Sequence, residues 1–140
     1  MTEEESRAMW DRLRAELDEK GYGGYAVELK SSGSLIGLLG FHWADFKADF
    51  TPCVEIGWRL VPEAWGHGYA TEGATACLEH GFARLGLDRV YSFTACVNLP
   101  SQAVMQRAGM RKTAEFNHPK VAPDSVLYPH VLYVREASHA

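Results

Sequence analysis

Apolar and polar side chains follow two rhythms along this chain, and the places where the rhythm changes mark its elements. Met9, Trp10, Leu13 and Leu17 recur at the three-to-four spacing of one helical face. Thr2 and Glu5 stand at capping-box spacing, each able to satisfy an orphan N–H of the other, and Gly21 supplies a left-handed stop. The pattern predicts a helix over 2–20. Tyr25–Leu29 and Leu35–His42 are β-type runs around the polar turn Lys30-Ser31-Ser32-Gly33-Ser34, which reads as a hairpin. Gly37 and Gly40 in its second strand mark bulges or a close approach of backbone. Phe41–Phe50 mixes aromatic and charged residues without a clean period and reads as a loop, its rings meeting a ligand or folding onto the core.

The central segment is more regular. Val54, Ile56, Trp58 and Leu60 alternate with Glu55, Gly57 and Arg59, a strand over 53–61 that Pro62 ends. Ala70, Ala74, Cys77, Leu78, Gly81, Phe82 and Leu85 share one helical face, and Gly86 gives the stop. A strand over 89–97 follows, so residues 53–97 form a β-α-β unit. Asn98-Leu99-Pro100-Ser101 caps a further helix to Ala108, closed by Gly109. Two strands, over 111–116 and 131–135, flank a loop carrying Pro119, Pro123 and Pro129. With no repeat or linker, residues 1–140 make a single α/β domain.

Charge narrows the partners. Eighteen acidic against 14 basic side chains give a net charge of −4, whereas nucleic acid and anionic membrane both demand a dominant basic field. Neither is expected, and a bound anion must be met by local geometry. No apolar run approaches the ~18 residues of a membrane span. The acidic start Met1-Thr2-Glu3-Glu4-Glu5 is unlike a secretion signal, so a cytoplasmic protein is expected. Cys53, Cys77 and Cys96 lack zinc-knuckle or redox-pair spacing and read as small hydrophobes in a reducing compartment. Cys77 and His80 lie three apart on one helix, but no second pair stands at ligand spacing, so no metal site is expected.

The segment that carries chemistry is Trp65-Gly66-His67-Gly68-Tyr69-Ala70-Thr71, between a strand and a helix. Glycines let a backbone approach an anion, and the N–H groups of a helix N-terminus bind phosphate without a basic side chain. A P-loop would need Lys-Ser/Thr where Tyr69-Ala70 stands. A dinucleotide fingerprint would need a glycine at Thr71, and Asp88 precedes the strand that its acid should follow. Trp65 reads as packing under the loop.

Trp65 to Ala70 resembles the Q/R-x-x-G-x-G/A motif of the GNAT acetyltransferases, with Trp first as in their RimJ/RimL-like branch. Val54–Leu60, Asn98-x-x-Ser101 with Met105-x-x-x-Gly109-Met110, and His130-Val131-Leu132-Tyr133 follow the same order. The resemblance implies a GNAT-like mixed, largely antiparallel sheet with helices on both faces, and transfer of an acetyl group from acetyl-CoA to a primary amine. Gly66, His67, Gly68, Tyr69, Ala70 and Thr71 would offer N–H groups to the CoA pyrophosphate, and Leu60-Val61 would pair with pantetheine. Asn98 and Ser101 would lie near the sulfur. The acceptor would be a protein N-terminus or a small-molecule amine.

Attack on the thioester needs a neutral amine, so a base is wanted. Glu55 is the first choice, with His130 and Tyr133 behind it; a carboxylate tying strand to helix is the alternative for Glu55. Many relatives place a thiolate-protonating tyrosine where this chain has Met105. Ser101 or water would then serve, unless Ser101 is only the helix N-cap. His67 meets a CoA phosphate or faces water, and Arg107, Arg111 and Lys112 form a basic cluster suited to the 3′-phosphate or to a solvated helix end. Family members usually begin with another strand and helix, which suggests shortening at the N-terminus. The Tyr25–Leu29 strand would then be a sheet edge open to pairing with a second copy. A catalytically weak CoA-binding module and a protein-interaction subunit remain as alternatives.

Overall fold

The structure is a computed structural model, and it describes residues 23–29 and 31–137. The helix expected over 2–20 lies outside the described residues. Those residues form β1 (Gly24–Glu28), β2 (Leu35–Ala44), β3 (Cys53–Leu60), a single 3-10 turn (Pro62–Ala64), α1 (Tyr69–Ala83), β4 (Arg89–Ala95), α2 (Leu99–Arg107), β5 (Arg111–Asn117) and β6 (Pro129–Glu136). The strands join in one sheet of order β1-β2-β3-β4-β6-β5. Every neighbouring pair is antiparallel except β3 and β4, which the β-α-β connection makes parallel.

Several strand boundaries moved from expectation, and β6 opens at Pro129 rather than Val131. β2 continues through Ala44, because Phe41, His42, Trp43 and Ala44 pair with Ile56, Glu55, Val54 and Cys53. The loop begins only at Asp45, and its rings fold inward: Phe46 lies 5.4 Å from Phe93 and Phe50 lies 5.0 Å from Phe116. β4 ends at Ala95 rather than Val97, since Asn98 N–H turns back to the Ala95 carbonyl at 2.9 Å.

Register sorts the side chains onto two faces. Leu39, Phe41, Ile56, Val90, Val131 and Tyr133 join Ala74, Cys77, Leu78 and Met105 in one core, so α1 and α2 cover the same face. Leu78 and Ile56 are fully buried, each worth ~1.5–3 kcal/mol of apolar transfer. The opposite face carries Tyr91 and Phe93 with Phe46, Phe50, Phe116, His118 and His130. Helices on both faces were expected; among the described residues the helices lie on one. Gly37 and Gly40 are points of close approach: a Cβ on the first would strike the Arg59 carbonyl, and on the second the Gly23 carbonyl.

Candidate active site

The parallel strands provide the opening. β3 and β4 pair only at Glu55 and Tyr91. Beyond that point Ser92 Oγ donates to the Ile56 carbonyl at 2.8 Å, a buried bond that satisfies the strand where its ladder stops. Val61 N–H bonds the Ile36 carbonyl at 2.8 Å across the Gly37–Leu60 pair. That makes the pair a non-hydrogen-bonded one and turns the N–H and C=O of Leu60 away from β2, toward the gap. The same alternation turns the backbone groups of Trp58 there.

A cavity of about 560 Å³ lies between the end of β3 and the N-termini of α1 and α2. Leu60, Gly66, Gly68, Tyr69, Ala70, Thr71, Asn98 and Ser101 line it, so eight of the ten expected cofactor-contacting residues converge on one space. Val61 does not line it: its N–H is bonded to Ile36 and its carbonyl accepts from Ala64 N–H at 2.9 Å. His67 does not line it either. Its ring stacks on Tyr69, with centroids 5.2 Å apart.

Around His67 the loop takes the conformation its glycines permit. Gly66 and Gly68 have φ of 78° and 79°, left-handed values that L side chains resist. Gly68 is the N-cap of α1, and among the described residues no side chain caps that helix. The first-turn N–H groups, with the positive end of the helix dipole, therefore face the cavity without a side-chain acceptor. A Cβ at Gly66 or Gly68 would meet no described atom within 4 Å, so the described residues leave space beside the loop. Trp65 does not pack under the loop as expected. It is 65% exposed, and its indole N–H donates to the Leu60 carbonyl at 2.9 Å.

At the start of α2 the roles of two residues separate. Asn98, not Ser101, is the N-cap: its Oδ1 accepts from Ser101 N–H at 3.3 Å while its Nδ2 donates to Thr94 Oγ1 at 3.1 Å. Ser101 sits in the first turn, and its hydroxyl has no hydrogen-bond partner among the described residues. The expected basic cluster also divides. Arg107 lines the cavity, whereas Arg111 pairs with Glu136 at 3.0 Å and Lys112 with Glu115 at 3.0 Å. The hydrogen bond to Glu115 pushes the Lys112 ammonium pKa up.

The expected bases are dispersed. Glu55 opposes His42 across β2 and lines a second cavity, of about 290 Å³. Burial, then the Glu55 carboxylate, pushes the Cys53 thiol up to about 11. Tyr133 belongs to the helix-side core, where its hydroxyl accepts from Gln106 Nε2 at 3.0 Å. His130 is buried on the aromatic face, its Nδ1 3.2 Å from the Tyr128 carbonyl. A carbonyl only accepts, so neutral His130 holds its proton on Nδ1 and leaves Nε2 as the basic nitrogen.

Sequence reasoning missed Trp58 and Arg59, which line both cavities, and Pro100, Ala103 and Val104 on α2. Strand alternation could have flagged Arg59, a charge next to the expected pantetheine strand. It also missed His118, whose ring is 5.0 Å from His130. Burial, then His130 and Lys120, holds the His118 imidazole below its usual pKa. Among the described residues no cluster of three or more potential ligands could hold a metal, and no helix is long and apolar enough to cross a membrane.

Residues 1–111 match the acetyltransferase (GNAT) domain family. The chain is 34% identical over 115 residues to the uncharacterized N-acetyltransferase YnaD of Bacillus subtilis, a match covering 82% of this chain and 63% of that one. It thus spans less than two thirds of that relative's length. Among solved structures, one from Bordetella pertussis described as of the GNAT acetyltransferase family is similar, with TM-score 0.80, 28% identity and coverage of 96% of this chain and 78% of that one. Mycobacterium smegmatis RimJ in complex with CoA-disulfide is also similar, at TM-score 0.74 and 25% identity, covering 94% of this chain and 60% of RimJ.

Proposed function

The chain belongs to the GNAT acetyltransferase family, and from that premise we propose that it moves an acetyl group from acetyl-CoA to a primary amine, by direct transfer in one ternary complex. The observation that carries this reading is the convergence on one cavity of an uncapped helix N-terminus and of the outward-turned backbone of Leu60. An extended ligand with an anionic end and an amide-bearing arm fits that pairing: Gly66, Gly68 and the first turn of α1 receive the pyrophosphate, and Leu60 N–H pairs with pantetheine. Arg107 supplies a cation at the same cavity.

In the transfer the amine nitrogen attacks the thioester carbon, the C–S bond breaks, and the sulfur leaves as a thiolate that takes up a proton. A lysine ammonium has pKa ~10.4 and an α-ammonium ~8, so the acceptor must first give a proton to a base. Of the three expected bases Glu55 is the closest in sequence to Leu60, and it faces a cavity that shares Trp58 and Arg59 with the larger one. Ser101 offers a hydroxyl proton to the departing thiolate, and Asn98 positions Ser101 by capping its helix.

The test is thermal unfolding with acetyl-CoA and, as control, with NAD. Ligand at 100 times its Kd adds ~2.7 kcal/mol, which is several degrees for a domain of this size. A shift with acetyl-CoA alone is expected, followed by transfer to a panel of amines. No shift in a cooperatively folding protein would remove the reading.

A further inference from the structure

Two cavities meet at β3. The larger holds the proposed acetyl donor; the smaller opens beside Glu55, and Trp58 and Arg59 form walls of both. An attacking nitrogen must come within ~3–3.5 Å of the thioester carbon, and it needs a space of its own that adjoins the donor's. The smaller cavity is the candidate, because Trp58 and Arg59 wall both.

Its floor is unusual. Gly40 and Gly57 face each other across β2 and β3, so a strip of bare backbone one residue wide crosses the cavity beside His42 and Glu55. Gly40 has a local reason to be glycine, because a Cβ there would strike the Gly23 carbonyl. Gly57 has none among the described residues. Its φ lies outside the range that L side chains resist, and a Cβ would meet nothing within 4 Å. A Cβ at this position would stand at the wall of the cavity with no described atom within 4 Å.

Resting on the acetyl-transfer reading, we propose that the smaller cavity is the acceptor site and that Gly57, by lacking a side chain, sets its width. The acceptor class follows from the shape and charge. It is a primary amine on a slender, unbranched stem, the stem lying along the Gly40–Gly57 strip and the ammonium end turned to the Glu55 carboxylate. Amines branched near the nitrogen are expected to bind more weakly, because a branch takes the space that the bare strip leaves for the stem.

The test uses the full chain saturated with CoA, titrated calorimetrically with hexylamine and with valine amide. The wild-type protein is expected to bind hexylamine the more tightly. Gly57→Val, which adds three carbons, is expected to weaken hexylamine at least about tenfold, since a single methylene too many in a fitted pocket already costs about that, while changing CoA affinity less than about twofold. Gly57→Ala, with a single methyl, gives an intermediate loss and guards against misfolding of the larger variant. Unchanged hexylamine affinity in both variants would overturn the proposal, as would a CoA-loaded wild-type protein that ignores hexylamine or prefers valine amide. A wild-type protein that does not bind CoA would instead fell the acetyl-transfer reading, and this inference with it.

Discussion

Glu55 and Ser92 sit near each other in the sheet yet answer to different demands. Glu55 lines the smaller cavity, and if it is the base, Glu55→Gln keeps the shape and removes the proton acceptor. Turnover at saturating acetyl-CoA is expected to fall ~10²–10⁴-fold with CoA affinity unchanged. A variant that folds normally and turns over at the wild-type rate would strip Glu55 of that role, and one that no longer folds would make it the structural carboxylate. Ser92 is fully buried and its hydroxyl is the donor to the Ile56 carbonyl. Ser92→Ala leaves that carbonyl buried and unpaired at the edge of the strand gap, a loss of ~1–3 kcal/mol. Urea unfolding measures it; a midpoint equal to wild type would mean that water or a backbone N–H replaces the hydroxyl.

Element by element, the chain between residues 53 and 117 was legible and the chain before it less so. β3 and α1 announce themselves through alternation and a single apolar face, because each has one side in the core and one outside it. β2 hides its last residues, since Phe41 and Ala44 are buried while the aromatic run carries on into a loop whose rings pack on the other face. Periodicity cannot separate the two sets of rings. The glycines of the 66–68 loop were legible as a special backbone, but which backbone groups are already bonded was not, and so Val61 was expected at a cavity its N–H does not face. The bases were the least legible, because the face on which Tyr133, His130 and Glu55 emerge depends on the register of three strands. At the start of α1 the loop makes its own prediction. Gly68→Val places a branched side chain at φ 79°, costing roughly 1–2 kcal/mol of stability. It also sets that side chain in the open space beside the first turn. Acetyl-CoA affinity is expected to fall beyond detection in a variant that still unfolds cooperatively, and unchanged affinity would take the loop out of the binding account.

For the molecule as a whole, the aromatic face links the sheet to pH. His118 accepts the Lys120 N–H on Nδ1 at 3.1 Å and lies among Phe46, Phe93 and His130. Burial first, then the neighbouring His130 and Lys120, lowers its pKa in the fold. The unfolded imidazole titrates near ~6.5. As pH falls through that value, the unfolded chain takes up the proton before the folded one does. Stability is therefore whole above ~6.5 and is lost progressively down to the folded pKa. The expected outcome is a urea midpoint that drops between pH 7.5 and pH 5. Carboxylates contribute to any acid loss, so the informative quantity is the difference from His118→Asn, whose side-chain oxygen can still receive the Lys120 N–H but does not titrate. A shallower pH dependence in His118→Asn assigns the missing slope to this imidazole. Parallel curves for the two proteins would mean that the ring pair relaxes apart on protonation, and that the loop bearing Phe46 and Phe50 is held to the sheet by its aromatic contacts alone.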